Sequence, residues 1–122
     1  MKIIFVCTGN TCRSPMAEVI FANLCARNGR ADVVVESAGT NAIAGTKMQA
    51  MACQALEACG ESVRNGDRLA TQWCEEMRSN YDHVISLSHI SDPFMQPFEI
   101  YVEVCKQLQS ELLLLYNTIC KM

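Results

Sequence analysis

One stretch near the N-terminus constrains the fold more than any other part of the chain. From Val6 to Pro15 it places a cysteine, five further residues, an arginine and a serine between an apolar run and a run with helical spacing. The apolar run Lys2–Val6 is short, β-branched and aromatic, which predicts a buried strand. Ser14 is a good helix N-cap, and Pro15 suits the first helical position. The stretch therefore predicts a strand, a tight loop and a helix.

The residue types in this loop indicate an anion site. A loop of this shape turns successive backbone N–H groups inward, and the helix after it adds its positive N-terminal end. Such a cradle favours the thiolate form of Cys7, and the Arg13 guanidinium matches two phosphate oxygens. A single cysteine at a strand end is more often a core residue. The combination of nucleophile and oxyanion clamp nevertheless predicts a phosphoryl-transfer site, with Asn10 in the left-handed conformation that bends the loop.

Strand-like and helical patterns alternate along the rest of the chain. This alternation predicts a doubly wound, open α/β sheet, in which ligands bind beyond the carboxyl ends of the strands, where Cys7 lies. The remaining expected elements are the first helix to Arg27, a strand at Asp32–Glu36, a loop at Ser37–Lys47, a helix at Met48–Cys59, a polar connection at Glu61–Arg68, a helix at Leu69–Arg78, a strand at Tyr81–Leu87 and a long amphipathic helix from Phe98.

Length and composition exclude several classes of function. A chain of 122 residues, half of them apolar, suits a single domain spanning residues 1–122. The net charge of −3 argues against nucleic acid or an anionic membrane as a partner. The N-terminal apolar run is too short for a signal peptide, and Leu112–Leu115 is too short to cross a bilayer. Eight cysteines without a CxxC pair, and two histidines without metal-ligand spacing, predict reduced thiols in a cytoplasmic protein that needs no metal or cofactor.

Two motifs resemble those of a known family. Cys7 to Glu18 is similar to the signature of the low-molecular-weight protein tyrosine phosphatases, in particular the bacterial branch that includes protein-arginine phosphatases. Asp92-Pro93-Phe94 resembles the Asp-Pro-aromatic loop of that family, and Ser37-Ala38-Gly39-Thr40 resembles the exit of its second strand. The resemblance implies a three-layer αβα fold with a small open parallel sheet and a phosphatase P-loop. It also implies a phosphorylated protein as substrate, and phosphate or sulfate as ligands of the loop.

The resemblance assigns roles to individual residues. Cys7 attacks phosphorus to give a cysteinyl-phosphate, Arg13 holds the oxygens, and Asp92 is general acid and then general base. The loop residues expected to bind phosphate are Thr8, Gly9, Asn10, Thr11, Cys12, Arg13 and Ser14.

Specificity and redox behaviour rest on three further positions. Thr11 stands where tyrosine-directed relatives commonly carry a bulkier aliphatic residue, so phosphoarginine is favoured over phosphotyrosine, and both remain open. Phe94 is expected to flank the incoming side chain. The resemblance implies a reversible disulfide between Cys7 and Cys12; the alternative is that Cys12 only fills space beneath the loop.

The chain departs from the family pattern before Asp92. The family places a further helix and a fourth strand there, so this chain is shorter by about one helix and one strand. Because four residues span at most about 14 Å, Asp92 either still reaches Cys7 from the third strand or is misplaced. The deletion is also expected to expose a sheet edge or the C-terminal helix, which favours a homodimer.

Two alternatives to a phosphatase arise from these observations. A misplaced Asp92 would leave a catalytically weak or inactive phosphate-binding module. An arsenate reductase would use a very similar loop, but it needs further cysteines just after the third strand, and Ser86–Pro97 contains none.

Overall fold

The computed structural model describes residues 1–63 and 68–120, so residues 64–67 of the predicted connection Glu61–Arg68 lie outside the described part. The elements alternate along the chain, much as the pattern predicts. They are β1 (Lys2–Cys7), α1 (Arg13–Arg27), β2 (Val34–Gly39), α2 (Ala50–Ala58), a 3-10 helix (Glu75–Asn80), β3 (His83–Ser86) and α3 (Phe98–Ile119).

The sheet is parallel and has the strand order β2-β1-β3. The central strand β1 pairs with β2 so that Cys7 lies opposite Gly39, and with β3 so that Val6 lies opposite Ser86. The carboxyl ends of all three strands therefore meet at one edge, and Cys7 is in the middle of it. The predicted fold class, an open parallel α/β sheet, is confirmed. Strand β2 begins two residues later than predicted and runs three residues further.

The larger core lies on the face of the sheet that α1, α2 and α3 cover. Side chains alternate along β1, so Ile3 and Phe5 enter this core. The Phe5 ring contacts Phe21 of α1 with its centroid 5.6 Å away, and Phe21 in turn contacts Tyr116 of α3. This packing holds the middle of α1 against β1 and α3, and α1 begins directly after the loop that follows β1.

The opposite face of the sheet is covered by Trp73, Met77 and Tyr81, which pack on Ile4 and Val6. The helix predicted at Leu69–Arg78 is wrong, because this segment is extended before it enters the 3-10 helix Glu75–Asn80. Its backbone bonds to the end of β2 instead.

Two hydrogen bonds hold the extended segment. The Gly39 N–H donates to the Thr71 carbonyl (2.9 Å), and the Trp73 N–H donates to the Gly39 carbonyl (2.8 Å). An α-helix would use these groups internally, so tertiary pairing overrides the helical spacing.

The start of α1 also differs from the prediction. The helix begins at Arg13, with Cys12 as its N-cap and without a side-chain cap hydrogen bond. Ser14 is therefore not the N-cap, and Pro15 is the third helical residue rather than the first. The Ser14 hydroxyl bonds to Cys7 and Asn10 instead.

The shortened segment leaves one edge of the sheet open. Within the described ranges, β3 pairs with β1 on one side and with no strand on the other. On the neighbouring helix α3, the side chains of Leu113 and Leu114 are 48% and 68% exposed. No helix in the described residues is long and apolar enough to cross a membrane. The open edge is the surface on which the predicted homodimer depends.

Candidate active site

The P-loop, defined here as Cys7–Ser14, connects β1 to α1 and surrounds the Cys7 sulfur. Cys7 Sγ lies 2.9 Å from Ser14 Oγ and accepts a hydrogen bond from the Asn10 N–H at 3.3 Å. Asn10 has φ = 58°, the left-handed conformation that the sequence predicts. The backbone thus bends at Asn10 and directs an N–H group at the sulfur.

Gly39 allows β2 to approach the P-loop closely. A Cβ atom at this position would lie 2.4 Å from the Thr8 carbonyl oxygen and 2.9 Å from the Asn10 nitrogen. The exit of β2 therefore forms a wall against the loop that only glycine permits. This contact gives a physical reason for glycine in the Ser37-Ala38-Gly39-Thr40 motif.

Arg13 is buried and directs its guanidinium across the mouth of the loop. The residue is 7% exposed; Nη1 donates to the Ile90 carbonyl (3.0 Å), and Nη2 donates to Thr8 Oγ1 (3.3 Å). Among the buried side-chain nitrogen and oxygen atoms of residues 1–63 and 68–120, Arg13 Nε alone has no hydrogen-bond partner. An unpaired buried N–H is costly, so Arg13 Nε is a candidate hydrogen-bond donor to the anion that this loop is expected to bind.

Asp92 reaches the P-loop despite the shortened segment. Its Oδ2 lies 3.5 Å from Arg13 Nη2, and its Oδ1 accepts a hydrogen bond from the Phe94 N–H (3.0 Å). Because the Asp92 side chain is 49% exposed, the ion pair contributes about 0–1 kcal/mol. The carboxyl group is thus oriented by the turn at Phe94, and the weak ion pair leaves it free to contact a ligand.

A cleft of about 250 Å³ opens above the Cys7 sulfur. Cys7, Arg13 and Asp92 all line it, together with the two predicted specificity residues Thr11 and Phe94. The structure therefore brings together at one cleft the three residues expected to be catalytic and the two expected to select the substrate.

Four further residues that line the cleft were not predicted from the sequence. They follow β2 in the chain and are Asn41, Ile43, Thr46 and Gln49. A signal for them exists, since the loop after β2 starts at the same sheet edge as the P-loop. Ile43 lines the cleft although 78% of its surface is exposed.

Cys12 lies beneath the loop and remains a thiol at neutral pH. It is 3% exposed, and its sulfur is 3.9 Å from the Tyr101 hydroxyl of α3. Burial raises the pKa of the Cys12 thiol to about 11. Cys7 and Cys12 are both reduced. The predicted disulfide thus stays a prediction, in which Cys12 would be the less nucleophilic partner.

Comparison with known proteins places this site in a family context. The family model "Low molecular weight phosphotyrosine protein phosphatase" matches residues 2–91, which end just before Asp92. A protein-arginine-phosphatase of Bacillus subtilis is 40% identical over 89 residues, which are 73% of this chain and 57% of that protein. A low molecular weight protein-tyrosine phosphatase A of Mycobacterium tuberculosis is 56% identical over 41 residues, 33% of this chain and 25% of its own. The chain thus spans between a quarter and three fifths of the length of these relatives.

Solved structures extend the similarity beyond residue 91. A YwlE arginine phosphatase mutant with a phosphorylated active-site serine superposes with a TM-score of 0.88 at 28% identity, over 98% of this chain and 95% of that one. A low molecular weight protein tyrosine phosphatase from T. tengcongensis gives a TM-score of 0.89 at 27% identity, over 98% and 99% of the two chains. The fold of these proteins therefore extends over nearly the whole of this chain.

Proposed function

Because the chain belongs to the low molecular weight phosphotyrosine protein phosphatase family, we propose that it is a cysteine-dependent protein phosphatase that works through a cysteinyl-phosphate. One observation carries the proposal. The Cys7 sulfur lies at the base of a cleft, beside a buried guanidinium whose Nε has no partner in the described structure. A tetrahedral anion above the sulfur would supply that partner.

The first step transfers phosphorus to sulfur. The Cys7 thiolate forms the S–P bond while the bond from phosphorus to the leaving atom breaks, and the electron pair goes to that leaving atom. Asp92 donates a proton to it, which neutralises the developing charge. Arg13 and the loop N–H groups stabilise the equatorial oxygens, on which charge accumulates.

The second step reverses the role of Asp92. The carboxylate accepts a proton from water, the oxygen attacks phosphorus, and the S–P bond breaks to return the Cys7 thiolate and inorganic phosphate. The Ser14 hydroxyl, 2.9 Å from Cys7 Sγ, stabilises the departing sulfur anion. The phosphorylated serine of the YwlE mutant supports a phosphate acceptor at the active site of this fold.

Phosphoarginine is the preferred substrate in this proposal, and phosphotyrosine is the second candidate. The supporting observation is Thr11, which lines the cleft with a hydroxyl where an aliphatic side chain would favour a phenyl ring. Its backbone carbonyl accepts a hydrogen bond from the Gln49 N–H (2.9 Å), which fixes the residue at the cleft wall. Thr11→Ile should therefore lower kcat/KM for phosphoarginine peptides relative to phosphotyrosine peptides. An unchanged preference would contradict the role of Thr11.

Hydrolysis of p-nitrophenyl phosphate tests the reaction itself. Wild type should turn over, and Cys7→Ser should abolish turnover. Cys74→Ser, at an exposed cysteine, is the matched control and should retain it. An inert wild type that still binds phosphate would instead support the phosphate-binding module. The position of Asp92, 3.5 Å from Arg13, removes the reason for favouring that alternative.

A homodimer through the open edge is a further part of the proposal. The supporting features are the unpaired outer side of β3 in the described structure and the exposed Leu114, which lines a surface groove together with Ile85 of β3. A second copy would continue the sheet and cover this leucine.

A further inference from the structure

A partly buried ion pair lies behind the P-loop, away from the substrate cleft. Arg68 Nε is 3.3 Å from Glu18 Oε1, and the two side chains are 11% and 14% exposed. Neither residue lines the cleft above Cys7. Removing charged groups from water costs free energy unless they form good hydrogen bonds. The hydrogen bonds of this pair therefore indicate its role.

Arg68 fixes the orientation of the Asn10 side chain. Its Nη2 and the Thr71 N–H both donate to Asn10 Oδ1, at 2.8 and 2.9 Å, and its Nη1 donates to the Asn10 carbonyl at 3.3 Å. A guanidinium has donors only, so the amide oxygen must face Arg68. The amide nitrogen of Asn10 must then face the other way.

The Asn10 nitrogen in turn fixes the direction of two serine hydroxyls. Nδ2 donates to Ser14 Oγ (2.7 Å) and to Ser37 Oγ (3.0 Å). Ser37 therefore directs its own proton to the Glu18 carboxylate, with which it makes a short hydrogen bond. Glu18 thus holds both the arginine and the serine that orient Asn10.

Ser14 is the end of this chain of hydrogen bonds. Because its oxygen already accepts from Asn10, its proton has two acceptors, Cys7 Sγ at 2.9 Å and the Ala38 carbonyl at 3.3 Å. The shorter contact, to an atom with a larger radius, favours the sulfur.

We propose that Arg68 and Glu18 are positioning residues, which orient Asn10 so that the Ser14 hydroxyl donates to the Cys7 thiolate. The inference rests on the proposed function. Without Arg68, only the Thr71 N–H would hold the Asn10 oxygen, so a rotated amide that presents its oxygen to Ser14 becomes less unfavourable. In the rotated form Ser14 would donate to Asn10, and the thiolate would lose one hydrogen bond.

The pH profile of Cys7 alkylation by iodoacetamide tests this directly. Cys7 is one of eight cysteines, so its modification is followed by mass spectrometry of the Cys7 peptide. Arg68→Met, which keeps the apolar stem, should move the midpoint of the profile upward by about one pH unit, the effect of one lost hydrogen bond on the thiolate. Glu18→Gln should move it in the same direction. Arg78→Met removes an exposed, ion-paired arginine and should leave the midpoint unchanged.

A double-mutant cycle separates positioning from general support of the loop. If Arg68 acts through Ser14, Arg68→Met should produce no further shift in a Ser14→Ala background. An equal shift in both backgrounds, or a folded Arg68→Met protein with the wild-type midpoint, overturns the proposal. If Arg68→Met does not fold, Arg68→Lys, which retains the charge and one donor, should give a smaller shift in the same direction, and a wild-type midpoint again overturns it.

Alkylation needs no substrate, so the two proposals fail separately. A wild type that does not hydrolyse p-nitrophenyl phosphate would refute the phosphatase while the alkylation shift could still be measured. Turnover with an unshifted Arg68→Met midpoint would refute only the positioning role. In an active enzyme, Arg68→Met should lower kcat for the aryl phosphate about tenfold and change KM less, because the pair does not contact substrate.

Discussion

Gly39→Ala is a severe test of the geometry around the P-loop. The φ angle of Gly39 lies outside the left-handed region, so alanine can adopt the backbone and the effect is purely steric. The new Cβ would lie 2.4 Å from the Thr8 carbonyl oxygen, and real Cβ contacts require at least 3.0 Å, so the gap must widen by 0.6 Å. Both sides of the gap are backbone, and neither can rotate away.

Hydrogen bonds hold each side of the gap in place. The Gly39 N–H and carbonyl bond Thr71 and Trp73, while the Thr8 carbonyl accepts from the Asn41 N–H at 2.9 Å. Overpacking of this kind costs about 1–3 kcal/mol in unfolding free energy. For a chain of this length, that corresponds to a fall in Tm of roughly 3–15 °C. A displacement of several tenths of an ångström at a catalytic loop should lower kcat/KM by about 10- to 100-fold.

Thermal unfolding by circular dichroism and kcat/KM for p-nitrophenyl phosphate measure the two effects. Gly9→Ala is the control for stability: it lies within the P-loop, but its Cβ would meet its nearest atom, Thr11 Oγ1, at 3.5 Å. Its Tm should stay close to that of wild type. A Gly39→Ala protein with wild-type Tm and wild-type kcat/KM would refute the close approach of β2 to the loop.

Three further predictions concern the acid, the buried thiol and the open edge. Asp92→Asn should lower kcat for phenyl phosphate by about 10²–10⁴-fold and by less for p-nitrophenyl phosphate, whose leaving group needs no proton; equal losses would contradict a general acid. Burial raises the pKa of the Cys12 thiol in the folded protein from its usual 9 to about 11. Between these pH values the unfolded chain loses the Cys12 proton while the folded protein keeps it, which favours the unfolded chain. The unfolding free energy from urea titrations should therefore fall between pH 9 and 11, and Cys12→Ala should reduce that fall. An equal fall in wild type and Cys12→Ala would contradict the raised pKa of Cys12. Sedimentation velocity of wild type should show concentration-dependent dimers that Leu114→Glu abolishes; a monomeric wild type would contradict self-association through the β3 edge.

Local signals made the P-loop and its flanking elements predictable from the sequence. The strand, loop and helix from Lys2 to Arg27 depend on neighbouring residues, and the left-handed Asn10 is explained by the tolerance of asparagine for that conformation. The long helix α3 carries its apolar spacing over 22 residues, enough for periodicity to be decisive.

Long-range pairing decided the parts that the sequence could not predict. The segment around Trp73 has helical spacing over fewer than three turns, and hydrogen bonds to the backbone of Gly39 hold it in an extended conformation. Ser14 has the composition of an N-cap, but its hydroxyl is taken by Cys7 and Asn10. Arg68 was predicted only as part of a polar connection, because nothing in its neighbourhood reveals a partner 58 residues away. The partners of these residues are in the P-loop or in Gly39 beside it, where long-range contacts outweigh local preference.

The position of Asp92 is explained by the path of the chain after β3. The Leu87 N–H donates to the Val6 carbonyl (2.9 Å), which extends the pairing with β1 to the edge of the P-loop. Ile90, 1% exposed, then enters the core and presents its carbonyl to Arg13 Nη1. Pro93 is also fully buried, so Asp92 is held between two anchored residues. Since β3 is adjacent to β1, this short path brings Asp92 to the cleft that Cys7 also lines, without a further helix and strand between β3 and Asp92.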